Sequence, residues 1–145
     1  MLRTYRYKAT SFQHIILSLF RWFFASTPRP ISIDPQAIEI LDGDTIRAAG
    51  IVYRLHGYDT PEIFAPRCSH ELADGRAATH ALRRILQTTP TLSLTVVDRD
   101  HYGRAVADAT IAGRDVASLM IEAGYARAYD GHTARRAWCA CAASS

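Results

Sequence analysis

The chain has 145 residues, 48% of them hydrophobic, 21% charged and 10% aromatic, which fits one compact domain and excludes disorder, collagen and coiled coil. Its formal charge of +3 is unevenly spread: residues 1–30 carry five basic residues and no acid, whereas residues 31–145 carry 12 Arg against 14 Asp and Glu. The domain beyond residue 30 is not basic, so affinity for nucleic acid has to come from local arginine placement or a bound cation.

Arg3, Arg6 and Lys8 precede an apolar stretch at residues 12–25, the order of a signal peptide or membrane anchor. Arg21 interrupts it, and an Arg near the centre of a span costs about 2.5–3.5 kcal/mol, which argues against a full crossing. On a helical projection Ser11, His14, Ser18 and Arg21 form one stripe, with Phe12, Ile15, Ile16, Leu19 and Phe23 opposite. That pattern suits a helix lying in a membrane interface. The expectation is a secreted, periplasmic or membrane-associated protein, with membrane association through residues 12–25; the alternative is a cytoplasmic protein with a loosely packed extension. Thr27-Pro28-Arg29-Pro30 then makes an extended linker.

Residues 37–41, 44–48 and 51–57 read as three antiparallel strands separated by Asp42-Gly43 and Ala49-Gly50. In the third, Ile51, Tyr53 and Leu55 share one face, so Arg54 points the other way, a charge displayed by a strand. A helix fits 71–87, with Ala78, Ala81, Leu82 and Ile85 at helical spacing and Pro90 beyond its end. Leu92, Leu94 and Val96 alternate as a fourth strand, and 104–111 reads as a fifth. A short helix follows, capped by Asp115, with Val116, Leu119, Met120 and Ala123 as its buried stripe and Gly124 as its stop. Three strands, helix, two strands, helix is the order of a five-stranded Greek-key barrel with helices, the OB-fold, an α+β architecture that commonly binds oligonucleotides. The expected organisation is an N-terminal segment and linker at 1–30, the barrel at 36–130 and a short tail at 131–145.

Three strings carry the chemistry: Asp42-Gly43-Asp44-Thr45, Arg54-Leu55-His56-Gly57-Tyr58-Asp59-Thr60-Pro61-Glu62 and Asp100-His101-Tyr102-Gly103-Arg104. Each alone has a bland reading, the first as a hairpin turn and the Asp-Thr-Pro-Glu of the second as a helix start. Asp44 beside one turn and Asp59 at the end of the neighbouring strand can approach each other. Two carboxylates plus the Thr60 carbonyl offer a hard oxygen site for a divalent cation, calcium being the best match, with water and a substrate phosphate oxygen completing the shell. No Cys or His is needed there, which argues against zinc. Hydrolysis of a phosphodiester builds charge on the phosphate oxygens, and the guanidinium forks of Arg54 and Arg104 fit as a clamp. Glu62, three residues after Asp59, is placed to orient or deprotonate the attacking water.

In order, spacing and strand context these strings resemble the staphylococcal nuclease-like (thermonuclease) family over roughly residues 36–130. The resemblance implies a calcium-dependent endonuclease of DNA and RNA with little sequence preference; the chain itself is expected to be a monomer. It implies catalytic roles for Arg54, Glu62 and Arg104, and a metal site at Asp44, Asp59 and Thr60. Tyr102 and Tyr129 fall where the family places aromatics near the nucleotide, and His101 stands where the prototype has a Lys that contacts a terminal phosphate. Other readings are a non-catalytic OB-fold nucleic-acid-binding module and a membrane-tethered interaction module. The chain departs from the prototype at its end, where a further helix gives way to Arg135, Arg136, Trp138 and Cys139. Exported relatives end in a similar basic Trp-Cys segment, which implies a bridge from Cys68 to Cys139, with Cys141 able to compete. A zinc site of Cys68, His132, Cys139 and Cys141 is the other reading, against which stands its C-x-C spacing. His14, His56, His70, His80 and His132 otherwise read as surface or packing residues.

Overall fold

The computed structural model describes residues 28–139. The apolar segment at 12–25 and Cys141 lie outside the described residues, among which no helix is long and apolar enough to cross a membrane.

The elements in chain order are β1 (Ile31–Ile33), a 3-10 turn at Pro35–Ala37, β2 (Glu39–Ile40), β3 (Thr45–Ala48), β4 (Ile51–Leu55), β5 (Tyr58–Asp59) and α1 (Ser69–Leu86). Then come β6 (Leu92–Arg99), β7 (Ala105–Ile111), β8 (Arg114–Asp115), α2 (Val116–Glu122) and β9 (Arg127–Ala128). The main sheet runs β1-β6-β7-β4-β3-β2, with β8 on β7, while β5 and β9 pair separately. Neighbours are antiparallel except β4 and β7, whose parallel contact joins the β2-β3-β4 meander to the β6-β7 hairpin. The sheet curls into a half-barrel that the two helices complete, the α+β OB-type barrel expected from the element order.

Alternation along the strands builds the core. Ala105, Ala107, Ala109 and Ile111 of β7 and Leu92 and Leu94 of β6 point inward, where they join Ile46, Leu55, Leu82, Val116 and Met120 in one buried cluster. Three alanines on the inner face of β7 keep that face shallow, so α2 can lie close to it.

Three local features differ from the sequence expectation. β1 pairs with β6, Ile31 opposite Leu94 and Ile33 opposite Leu92, which puts an edge strand upstream of residue 36; an Ile-Ser-Ile triplet is too short for a period of two to stand out. The β6–β7 register shifts between Val96 and Asp98, a bulge that bends the end of β6 toward the Asp100 turn. α1 begins at Ser69, because Cys68 caps it: its sulfur accepts from Glu71 N at 3.4 Å. Sulfur is not among the usual capping groups, so the sequence carries no ordinary cap signal at this start.

Candidate active site

The turn between β2 and β3 and the segment after β5 are drawn together by small residues and one buried phenol. Tyr58 is fully buried and its hydroxyl donates to Gly43 O at 3.1 Å. A Cβ on Gly43 would lie 2.8 Å from Thr60 Oγ1 and 2.9 Å from Ala78 Cβ, so only glycine lets the turn sit against both. Gly75 does the same for α1: a Cβ there would lie 2.6 Å from Ile63 Cγ2 and 2.7 Å from Pro61 O. The helix thereby supports the loop that carries Glu62.

Asp44 is buried and hydrogen-bonded through both of its oxygens. Its Oδ2 accepts from Thr60 N at 3.2 Å and Thr60 Oγ1 at 3.0 Å, and its Oδ1 accepts from Thr45 Oγ1 at 3.0 Å. Arg54 spans this carboxylate and the next, with Nη1 3.0 Å from Asp44 Oδ1 and Nη2 3.4 Å from Asp59 Oδ1. It also donates to the carbonyls of Leu55 at 3.1 Å and Tyr58 at 3.0 Å. The reading of Arg54 as a charge displayed by a strand is thus corrected: the residue does point away from Tyr53 and Leu55, yet it is only 7% exposed. Two buried carboxylates need a buried cation between them, and Arg54 is that cation.

Arg104 is set by the turn that precedes it. Asp100 Oδ1 accepts from Tyr102 N at 3.0 Å and Arg104 N at 2.9 Å, and its Oδ2 accepts from Arg104 Nε at 2.6 Å. Burial works the other way, yet these hydrogen bonds hold the Asp100 carboxyl below the usual carboxylate range. Tyr102 is 74% exposed, with the His101 ring against it at 3.8 Å between centroids and the Arg104 guanidinium 5.5 Å from its own. Tyr129 is half-buried, its N–H donating to Gly57 O at 3.1 Å. A groove of about 600 Å³ runs past Arg54, Glu62, Tyr102, Arg104, Tyr129 and Arg135. An adjoining recess of about 350 Å³ is lined by Asp44, Thr60, Glu62, Phe64, Arg104 and Arg135. Glu62, Arg104 and Arg135 therefore stand where the two meet.

The C-terminal segment supplies residues that sequence reasoning did not place at the site. Cys139 is disulfide-bonded to Cys68. Just before it, Trp138 Nε1 donates to Asp59 Oδ2 at 3.2 Å, and Arg135 lies with Nε 3.0 Å from Asp59 Oδ1 and Nη1 3.8 Å from Glu62 Oε2. Arg127 stacks over the Trp138 ring at 3.7 Å and donates to Ala137 O at 3.1 Å. Cys68, Glu71 and Cys139 gather within 4.8 Å of one another, but both sulfurs are spent on the disulfide, so neither is available to the zinc reading.

Asp42 and Asp100 also shape the site, although the sequence assigns neither a role of its own. Burial first, and then the charge of Asp44, pushes the Asp42 carboxyl up to about 7. Burial also raises Asp59, opposed by Arg135 and reinforced by Asp44. An acid with a raised pKa in the folded state contributes stability that is complete below its unfolded value, near 3.8, and lost as pH rises through the folded value. The metal-free protein is therefore expected to melt at least about 3 °C higher near pH 5.5 than near pH 8. Asp42→Asn should flatten that slope, as thermal melts across the interval would show; an unchanged slope would contradict it.

A small barrel that gathers acids and arginines along one groove defines a nuclease-like or nucleic-acid-binding domain. Residues 52–138 match the family model of the staphylococcal nuclease homologues, and the chain belongs to that family. It is also similar to the succinoglycan biosynthesis protein ExoI of Rhizobium meliloti (strain 1021), at 34% identity over 91 residues. The match covers 60% of this chain and 48% of the relative, so the chain spans about half the length of that curated relative.

Proposed function

We propose that the protein is a calcium-dependent endonuclease that hydrolyses phosphodiester bonds of DNA and RNA with little sequence specificity. One observation carries the reading: Asp44 and Asp59, bridged by a buried arginine, lie beside a groove whose walls bear Glu62 and Arg104. The donor set fits a hard divalent cation. It is all oxygen, and the Asp42 and Asp59 carboxyls are raised chiefly by burial, a cost to their charged forms that a bound cation would offset. Asp44, Asp59 and the Thr60 carbonyl would hold calcium, which when bound would polarise the phosphate and neutralise its charge.

The remaining work falls to the chain itself. Glu62 takes the proton of the attacking water. Arg104, fixed at Nε by Asp100, turns the rest of its fork to the phosphate and stabilises the charge that grows there. Arg54 acts from below, keeping both carboxylates in place while lining the groove. Tyr102 and Tyr129 stack on bases and His101 contacts backbone phosphate; none of these contacts reads a base edge, which accounts for low sequence preference. The disulfide supports an oxidising compartment, and with it export or membrane attachment through the N-terminal segment.

Incubation with labelled single-stranded DNA, duplex DNA and RNA tests this reading. Internal fragments are expected with calcium and none in excess chelator; undiminished cleavage in chelator would overturn the calcium assignment. The second reading, a binding module without catalysis, draws on Asp59, whose two oxygens are already engaged by Arg54, Arg135 and Trp138.

A further inference from the structure

Asp59 has more donors than a metal ligand can keep. Its Oδ1 lies 3.4 Å from Arg54 Nη2 and 3.0 Å from Arg135 Nε, and its Oδ2 accepts from Trp138 at 3.2 Å. The two arginines differ in kind. Arg54 is buried and tied to the backbone carbonyls of Asp44, Leu55 and Tyr58, so its withdrawal would break the floor of the site. Arg135 reaches in from the tail, with a side chain 45% exposed that lines both the recess and the groove. Its backbone is nonetheless held near the site. Four residues on, Cys139 is bonded to Cys68, which itself follows Glu62 by six positions, and Trp138 is pinned between Asp59 and Arg127.

Resting on the nuclease reading of this site, we propose that Arg135 is the resident counter-cation of the carboxylates: it holds Asp59 and Glu62 in the metal-free protein, yields to a divalent cation, and turns into the groove to bind a phosphate oxygen of the nucleic acid. Two cations on one carboxylate repel each other, so the ion pair must open before the metal can bind, and the metal's affinity is lowered by that cost. A phosphate in the groove offers the displaced guanidinium a new bidentate partner. Metal and nucleic acid then favour each other's binding through Arg135, and the coupling is reciprocal.

The test is calorimetric titration of calcium into wild type, Arg135→Ala, Arg135→Gln and Arg135→Lys, with and without an uncleavable phosphorothioate oligothymidylate. Non-reducing mass spectrometry would confirm the disulfide in each. The Ala and Gln variants should bind calcium about 10-fold more tightly than wild type without the oligonucleotide, about 1.4 kcal/mol. Lys should fall between, and the gain in calcium affinity from the oligonucleotide should shrink in Ala and Gln. Calcium affinity unchanged or weakened in both Ala and Gln would overturn the inference. If wild type cleaves DNA and all four proteins bind calcium equally, the inference fails alone. If none binds calcium and wild type does not cleave, the nuclease reading fails with it.

Discussion

Glu62→Gln is expected to lower turnover on single-stranded DNA by about 10²-fold or more, the scale on which a general base works, while affinity changes by no more than about 2-fold. Glu62 stands where groove and recess meet, with its side chain 37% exposed, on a loop braced by α1 through Gly75. The amide keeps the shape of the side chain and removes its basicity, so the loss should appear in kcat rather than in KM. Arg104→Lys should behave alike for a different reason. Lysine keeps the attraction to phosphate but cannot hold the Asp100 carboxylate through Nε and present a fork at the same time. Saturating-substrate kinetics decide the matter: Glu62→Gln cutting as fast as wild type would remove Glu62 as the base.

Reduction of the Cys68–Cys139 bridge should produce the largest change in stability. The bond closes a stretch with a sequence separation of 71 and, in the chain-entropy model, contributes about 4 kcal/mol. For a domain of this size that corresponds to a fall in Tm of roughly 10–20 °C. The bond caps α1 at Cys68 and fastens the tail that carries Trp138 and Arg135, so its loss should also loosen the site. Melting with and without reductant, beside Cys139→Ser, measures this; a Tm within about 2 °C of the oxidised protein would contradict the structural role.

What was legible in the sequence was set by local chemistry. Ala49 and Gly50 take φ of 48° and 77°, the left-handed pair a tight hairpin needs, and they fix the register of β3 on β4. Asp115 caps α2 through Ala117 N and Ser118 N, as a short acidic side chain before an apolar stripe implies. What was missed depends on distant partners. Strand alternation gives the face on which Arg54 lies but not what covers that face, and the cover comes from Asp44 and from β5. Arg135 and Trp138 read as a basic tail because nothing near them in the chain shows where they return. A signal was present: Cys68 follows Glu62 by six residues and Arg135 precedes Cys139 by four, so a bridge between the cysteines already brings Arg135 toward Glu62.

In the proposed function this carboxylate and arginine site cuts nucleic acid rather than only holding it. Binding and cleavage of one fluorescent single-stranded oligonucleotide, followed together in calcium for wild type and Asp44→Asn, separate the two. Wild type should bind and release internal fragments, and Asp44→Asn should lose cleavage and much of the calcium-dependent binding together. Tight binding by wild type in calcium with the oligonucleotide left whole would contradict the account and make the chain a binding module.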